Sequence, residues 1–175
     1  MKFHTCVVNN FLEDPRKVIN FSKSVDWLKP KIDENWPGRR SENLFKINKD
    51  LHDEIVFKIL NLYFFKQCRV NHTEIRFHKI KPNDLIDYNK KETTIHTDST
   101  ELAGVIYLNN YNKNNGTRVY DKQHNPIVTV ANNFNTLVCY DSKTDHGPTS
   151  IDNEERLTIV IFLDKIEYDS DNNSR

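Results

Sequence analysis

His96-Thr97-Asp98 is the first place along this 175-residue chain where residue types and spacing together suggest chemistry. It closes a β-rich run, Thr93 to Thr97. Side chains two positions apart in an extended strand share a face, so the imidazole and the carboxylate can reach one point. A third donor, His146, stands in Asp145-His146-Gly147-Pro148, and a cation, Arg156, follows ten residues later at the head of the last strong β run. Two His and one carboxylate on a β scaffold form a facial triad, three ligands on one face of an octahedron with three positions open. That arrangement suits iron(II) that must bind an oxidisable co-substrate and dioxygen together, whereas structural zinc prefers four filled positions. A short motif of this kind also arises by chance in a chain with 7 His and 25 Asp+Glu, so order and strand context carry the weight. His72-Thr73-Glu74 offers the same spacing and is the competing pair. His4, His52, His78 and His124 read as surface or hydrogen-bonded structural residues.

The elements that must position these residues fall into two halves. Asp14 followed by Pro15 is a helix start, and Val18, Ile19, Ser22 and Val25 continue a helical rhythm until Trp27, Leu28 and Pro30. A second helix, with Asp50 as its expected cap, carries one apolar stripe through Leu51, Ile55, Val56, Ile59, Leu60, Tyr63 and Phe64. Between them Trp36-Pro37-Gly38-Arg39-Arg40 reads as a loop. It is either a surface cap or a substrate-facing lid, with Trp36 and Arg39 the candidate substrate contacts. After Cys68 the period becomes two. Thr73–Ile80, Leu102–Leu108, Thr117–Tyr120, Ile127–Val130, Thr136–Tyr140 and Leu157–Leu163 are short β runs, and Asn109 to Gly116 is expected to be a polar turn.

Such closely spaced strands favour a small barrel or sandwich, with the helices packed outside it. In the last run Arg156, Thr158, Val160 and Phe162 share one face and Leu157, Ile159, Ile161 and Leu163 the other. The first set reads as a lumen with a polar mouth and an apolar floor. The second needs a cover, which the helices supply. An Arg at such a mouth is costly unless an anion meets it, and a carboxylate can do so with a bidentate pair.

Composition limits the function classes. Lys+Arg 25 balances Asp+Glu 25, which leaves no electrostatic footprint for a nucleic-acid backbone or an anionic membrane. The hydrophobic share of 37% supports a core, and no apolar run approaches the ~18 residues of a membrane span. Cys6, Cys68 and Cys139 are odd in number and widely spaced, against a disulfide scaffold or a cysteine zinc site. Together with a first segment that lacks an apolar leader, this makes a reducing, cytoplasmic setting the expectation.

His96-x-Asp98, Gly104-Val-Ile-Tyr-Leu-Asn109, Gly116-Thr117, Asn135-Thr-Leu-Val-Cys-Tyr140, His146 and Arg156-Leu-Thr158 resemble, in order, the signatures of iron(II)- and 2-oxoglutarate-dependent dioxygenases. Their spacing is closest to the prolyl-4-hydroxylase-like group, over roughly residues 93 to 163. The resemblance implies a double-stranded β-helix, a cupin-like jelly roll with the N-terminal helices on its outer face. One domain is expected over 1–167, with a helical layer 1–67, a β core 68–167 and a frayed tail 168–175.

It also implies iron ligation by His96, Asp98 and His146 and a 2-oxoglutarate site at Arg156, with Tyr107 and Thr158 beside it. The activity implied is hydroxylation with O2, releasing succinate and CO2. The substrate class stays open between a protein side chain, a peptide and a small molecule. Asn115-Gly116-Thr117 stands where the family shows Gly-Gly-Thr, and Arg156 where prolyl hydroxylases mostly use Lys, so proline is not singled out. Two other readings of the same residues are a cupin-like module that binds metal or ligand without turnover, and a zinc hydrolase on the same triad, in which Arg156 has no task.

Overall fold

The computed structural model describes residues 3–31, 34, 36–63, 68–85, 95–149 and 154–168. The elements are β1 (Cys6–Asn9), α1 (Pro15–Ser22), β2 (Arg39–Arg40), α2 (Leu44–Ile47), α3 (Lys49–Tyr63), β3 (Cys68–Ile80), a 3-10 turn (Pro82–Leu85), β4 (Leu102–Tyr107), β5 (Asn112–Tyr120), β6 (Pro126–Asn132), β7 (Thr136–Asp141), β8 (His146–Pro148) and β9 (Arg156–Tyr168). No helix among the described residues is long and apolar enough to cross a membrane.

A six-stranded antiparallel sheet runs β1-β7-β4-β9-β3-β2 and faces a three-stranded sheet, β6-β5-β8. His96 adds a fourth row to the smaller sheet by bridging His146 on β8. From β3 onward the chain passes to and fro between the sheets: β3 in the large one, His96 in the small, β4 back, β5 and β6 across, β7 back, β8 across, β9 back. That alternation is the winding of a double-stranded β-helix, as expected from the sequence.

Period two then decides what each face buries. Leu157, Ile159, Ile161 and Leu163 of β9 join Ile75, Phe77, Leu102, Ile106 and Leu137 in one core cluster, which Val18 of α1 and Leu51, Ile55 and Ile59 of α3 complete. Each such side chain contributes roughly 1.5–3 kcal/mol by leaving water. The opposite face builds a second cluster inside the barrel from Ala103, Val105, Tyr107, Val119, Val138 and Tyr140, with Phe162 against it. The core therefore lies between helices and large sheet, and the lumen is left for the site.

Local differences from the sequence expectation have physical causes. The Asp14 side chain accepts from the Lys17 amide at 3.0 Å with Pro15 next in line, as the sequence suggests. The helix stops at Ser22, however, because the Ser22 and Ser24 hydroxyls donate to the carbonyls of Ile19 and Phe21 and compete with further helical bonds. Asn48, not Asp50, caps α3, accepting from the Leu51 amide at 3.2 Å. Asp50 sits in the first turn, where a carboxylate favours the helix N-terminus. Phe64, the last residue of the expected stripe, lies outside the described residues.

The expected polar turn from Asn109 to Gly116 is shorter. β5 already starts at Asn112, with a register shift before Thr117. There Asn115 adopts φ 59°, and a Cβ on Gly116 would meet the Val130 carbonyl at 1.9 Å. β1 and β2 were not expected: the segment 1–67 supplies two edge strands as well as helices. The last strand runs through Tyr168, one residue into the expected tail, and 169–175 lie outside the described residues. Most of Thr93–Thr97 is described only from residue 95 onward, and within it His96 forms its bridge. The three cysteines are free thiols.

Candidate metal centre and co-substrate pocket

Backbone pairing fixes the two histidines before their side chains are considered. His96 N–H donates to the His146 carbonyl and His146 N–H to the His96 carbonyl, both at 2.9 Å. Asp98 is held by its amide on Ser142 O at 2.9 Å. The turn after it is tied down by Ser142 Oγ on Thr100 O and by Lys143 Nζ on the Asp98 and Ser99 carbonyls. His146 Nε2 then lies 3.1 Å from Asp98 Oδ2, and His96 Nε2 lies 3.9 Å from Asp98 Oδ1. Each residue offers one ligand atom, all within 4.8 Å of one another, the one such His/Cys/Asp/Glu group found among the described residues.

His146 Nδ1 stands 2.8 Å from Thr144 O. A carbonyl only accepts, so Nδ1 carries the proton, which leaves Nε2, on the side of Asp98, as the atom that can ligate a metal. The donor set, its spacing and this outer bond fit a divalent metal such as iron(II). Side-chain exposure runs from 48% at His96 through 23% at Asp98 to 4% at His146, so one side of the triad opens outward.

Arg156 lines the same cavity of about 280 Å³ as the triad. It is 5% exposed. Its Nε donates to Asn115 O at 2.8 Å, a carbonyl aimed inward by the irregular backbone of β5. Asn109 brackets its backbone, donating through Nδ2 to Glu155 O and accepting the Leu157 amide on Oδ1. Burial pushes the Arg156 pKa down, against the charged form. Behind it Tyr107 is fully buried, its ring 5.8 Å from the guanidinium and its hydroxyl donating to Thr117 Oγ1 at 2.7 Å. Burial raises the pKa of Tyr107, so it stays a neutral donor.

The comparisons with known proteins bear on the architecture. The sequence matches no protein-family model and no curated protein sequence. The structure is similar to a prolyl hydroxylase from Trichoplax adhaerens solved with a hypoxia inducible factor oxygen degradation domain peptide, with TM-score 0.63 and 14% identity over 91% of this chain and 82% of that one. It is similar to a 2OG-Fe(II) oxygenase family oxidoreductase from Burkholderia pseudomallei, with TM-score 0.65 and 10% identity over 91% and 84%. It is also similar to HygX from Streptomyces hygroscopicus, solved with nickel and 2-oxoglutarate, with TM-score 0.57 and 9% identity over 95% and 83%. The fold is that of the 2-oxoglutarate- and iron(II)-dependent oxygenases.

On this oxygenase fold the structure brings His96, Asp98, His146, Arg156 and Trp36 to one cavity. It places Tyr107 and Thr158 behind the lining, with the Thr158 hydroxyl donating to His78 O at 3.4 Å. Arg39 is exposed on β2 and does not line this cavity, and Arg40, which pairs with His78, lines the neighbouring one instead. His72 is exposed and Glu74 accepts from Arg76, so the competing pair does not join the triad. His52 is a buried structural residue between Asp53 and Thr73.

Sequence reasoning missed His78, Thr117 and Tyr140, which line the cavity. His78 Nε2 donates to Pro37 O at 2.7 Å, and its ring meets Trp36 edge-on at 5.8 Å. This clamps the Trp36-Pro37-Gly38 turn over β3. Gly38, at φ 82°, is needed there, because a Cβ would sit 2.2 Å from the Lys79 carbonyl. Burial pushes the His78 pKa down to about 3, helped by the Arg40 and Arg156 charges, so the ring is neutral. The signal for His78 was its place in the alternation of β3, two residues before Ile80 on the same face.

Proposed function

We propose that this chain is an iron(II)- and 2-oxoglutarate-dependent dioxygenase that hydroxylates an organic substrate, releasing succinate and CO2. The observation that carries the reading is the convergence in one cavity of a three-donor facial set and a buried guanidinium. O2 is the oxidant, and iron(II) held there would activate it with 2-oxoglutarate, which gives up two electrons as it becomes succinate and CO2.

The chain's own residues supply the rest. His96, Asp98 and His146 hold the metal and leave one hemisphere open, and Thr144 O keeps His146 in the ligating tautomer. Arg156 receives the far carboxylate of 2-oxoglutarate. Tyr107 and Thr158 back it from the lumen floor, and Asn109 and Asn115 set its direction. Val160 and Phe162 line the cavity with apolar surface that excludes water. Trp36 forms part of the outer wall, where a substrate enters.

A hydrolase on the same triad leaves Arg156 without a task, and a binding module would hold metal or ligand without forming succinate. The Trichoplax prolyl hydroxylase was solved with a peptide, and a protein side chain, a peptide or a small molecule all suit the balanced charge of this chain better than a nucleic acid does. The test is anaerobic loading with iron(II) followed by 2-oxoglutarate. One iron per chain and a visible metal-to-ligand band are expected, then succinate formation on admitting O2. Iron binding without a band or succinate would refute the reading.

A further inference from the structure

Arg40 is a second cation beside this site, partly buried, and no side-chain hydrogen bond or ion pair is described for its guanidinium. Its backbone is fixed on both sides, by mutual hydrogen bonds with Leu28 at 2.8 and 3.0 Å and by pairing with His78. Its guanidinium carbon lies 4.5 Å from the Trp36 ring centre and 5.7 Å from that of Phe162, and both rings line the metal cavity. Its Nε is buried without a hydrogen-bond partner. Glu74, Asp98 and Glu34 act on its charge from a distance without a bond to it; Glu74 accepts from Arg76, and Glu42 meets Arg76 and Lys46. A cation–π contact offsets part of the cost of burying a charge, but it leaves an N–H donor unmet.

Arg40 lines a second cavity of about 460 Å³, which shares Trp36 with the metal cavity and is lined by Lys29 and Lys31 as well as by Glu34, Glu42 and Glu74. On the proposed reading the charges of Asp98, iron(II), doubly ionised 2-oxoglutarate and Arg156 sum to zero. Arg40 stands outside that sum, with Glu34 and Glu74 the further charges that act on it.

We propose that Arg40, held between Trp36 and Phe162, is a substrate-recognition residue that seats an anionic group, a carboxylate or a phosphate, on a substrate whose reacting carbon lies over the triad. This rests on the dioxygenase reading for the reacting end alone. The anion seat is a property of β2 and the Trp36 turn. The substrate class narrows to acidic molecules, with the anion at the cavity rim and the oxidised position deeper in.

Trp36 reports on the seat. The chain has two tryptophans, so a Trp27→Phe background isolates the Trp36 emission. Inorganic phosphate and N-acetylglycine are titrated at constant ionic strength, once on metal-free protein and once on anaerobic protein loaded with iron(II) and 2-oxoglutarate. A saturable change with at least one anion is expected, and the responding anion identifies the group. Arg40→Gln should weaken it by about tenfold or more, Arg40→Lys should recover part of it, and Arg156→Lys should leave it in place. Arg40→Gln should not lower the melting temperature of the ligand-free protein, since no hydrogen bond or ion pair of the guanidinium is lost.

No saturable response to either anion, or an Arg40→Gln variant that responds as strongly as the parent protein, overturns the proposal. So does an Arg40→Gln variant that unfolds or releases Trp36 to solvent without any anion, because Arg40 would then be a structural clamp. If 2-oxoglutarate gives no metal-to-ligand band while the metal-free titration still depends on Arg40, the dioxygenase reading fails and the anion seat stands.

Discussion

Replacing Arg156 by Ala separates the dioxygenase reading from its rivals. Arg156 is 5% exposed, anchored through its Nε by a bond to Asn115 O, and lines the cavity that holds the triad. Each charge-assisted bond to a carboxylate contributes roughly 1.5–3 kcal/mol. Loss of a bidentate pair therefore removes about 3 kcal/mol or more of 2-oxoglutarate affinity, at least about a hundredfold. Iron affinity should change little, because Arg156 is not a ligand.

Heat stability gives a second readout of opposite sign. In the ligand-free protein Arg156 is a desolvated cation with a depressed pKa, so Arg156→Met should not lower the melting temperature. Addition of 2-oxoglutarate at a hundred times its Kd stabilises wild type by about 2.7 kcal/mol, and the shift for a chain of this size is roughly 5–10 °C. The variant should show none. Arg156→Lys should fall between, keeping the charge and losing the planar fork. The assay is an anaerobic titration of the visible band with melting curves in parallel. A variant that binds 2-oxoglutarate within about threefold of wild type, on the same constants, refutes the reasoning.

Asp98→Ala and His146→Ala should each abolish iron binding measured by calorimetry on reduced protein, and one iron per chain surviving both would move the site. Ile159→Ala, at a fully buried position between β9 and the helices, should lose about 2–5 kcal/mol in urea unfolding. Gly38→Ala should destabilise the chain and expose Trp36, read as a red-shifted emission, because both its φ of 82° and the Lys79 carbonyl exclude a Cβ. His78, with a pKa of about 3 against an ordinary 6.5, takes up its proton far more readily unfolded than folded. Its contribution is therefore complete above pH 6.5 and declines as pH falls toward 3, by about 1.4 kcal/mol per unit. His78→Asn should remove that slope from the acid limb, and parallel limbs would exclude the role of the ring that faces Arg40 and Arg156.

How much of this was legible in the sequence depends on how local each determinant is. Asp14-Pro15 announces α1 because capping is decided within four residues. The alternation from Arg156 to Leu163 announces both faces of β9 because each face repeats itself four times. The end of α1 was hidden because two serine hydroxyls compete with the backbone, which rhythm does not reveal. β1 and β2 were hidden for a stronger reason: four and two residues form strands only because β7 and β3 present edges to them. The start of β5 was masked by its irregularity, where polar residues and a φ of 59° at Asn115 look like a turn but serve to aim a carbonyl at Arg156.

The site divides the same way. The three-donor group was legible because His96 and Asp98 are two apart on one segment and His146 answers on the bridged strand. The place of Arg156 at the cavity was legible because it heads a strand of strict period two. The outer wall of the cavity is assembled from pieces distant in sequence, the Trp36 turn and His78 on β3, with β2 paired beside them. In a strand of two residues the alternation has no phase of its own, and a slip of one residue exchanges the faces. Only the pairing of Arg40 with His78 turns Arg40 inward and Arg39 out to solvent. The three-donor group and Arg156 are thus written in short spacings along single strands, whereas the surroundings of the Trp36 turn depend on a register between segments about forty residues apart, where one residue of phase decides which arginine packs against Trp36.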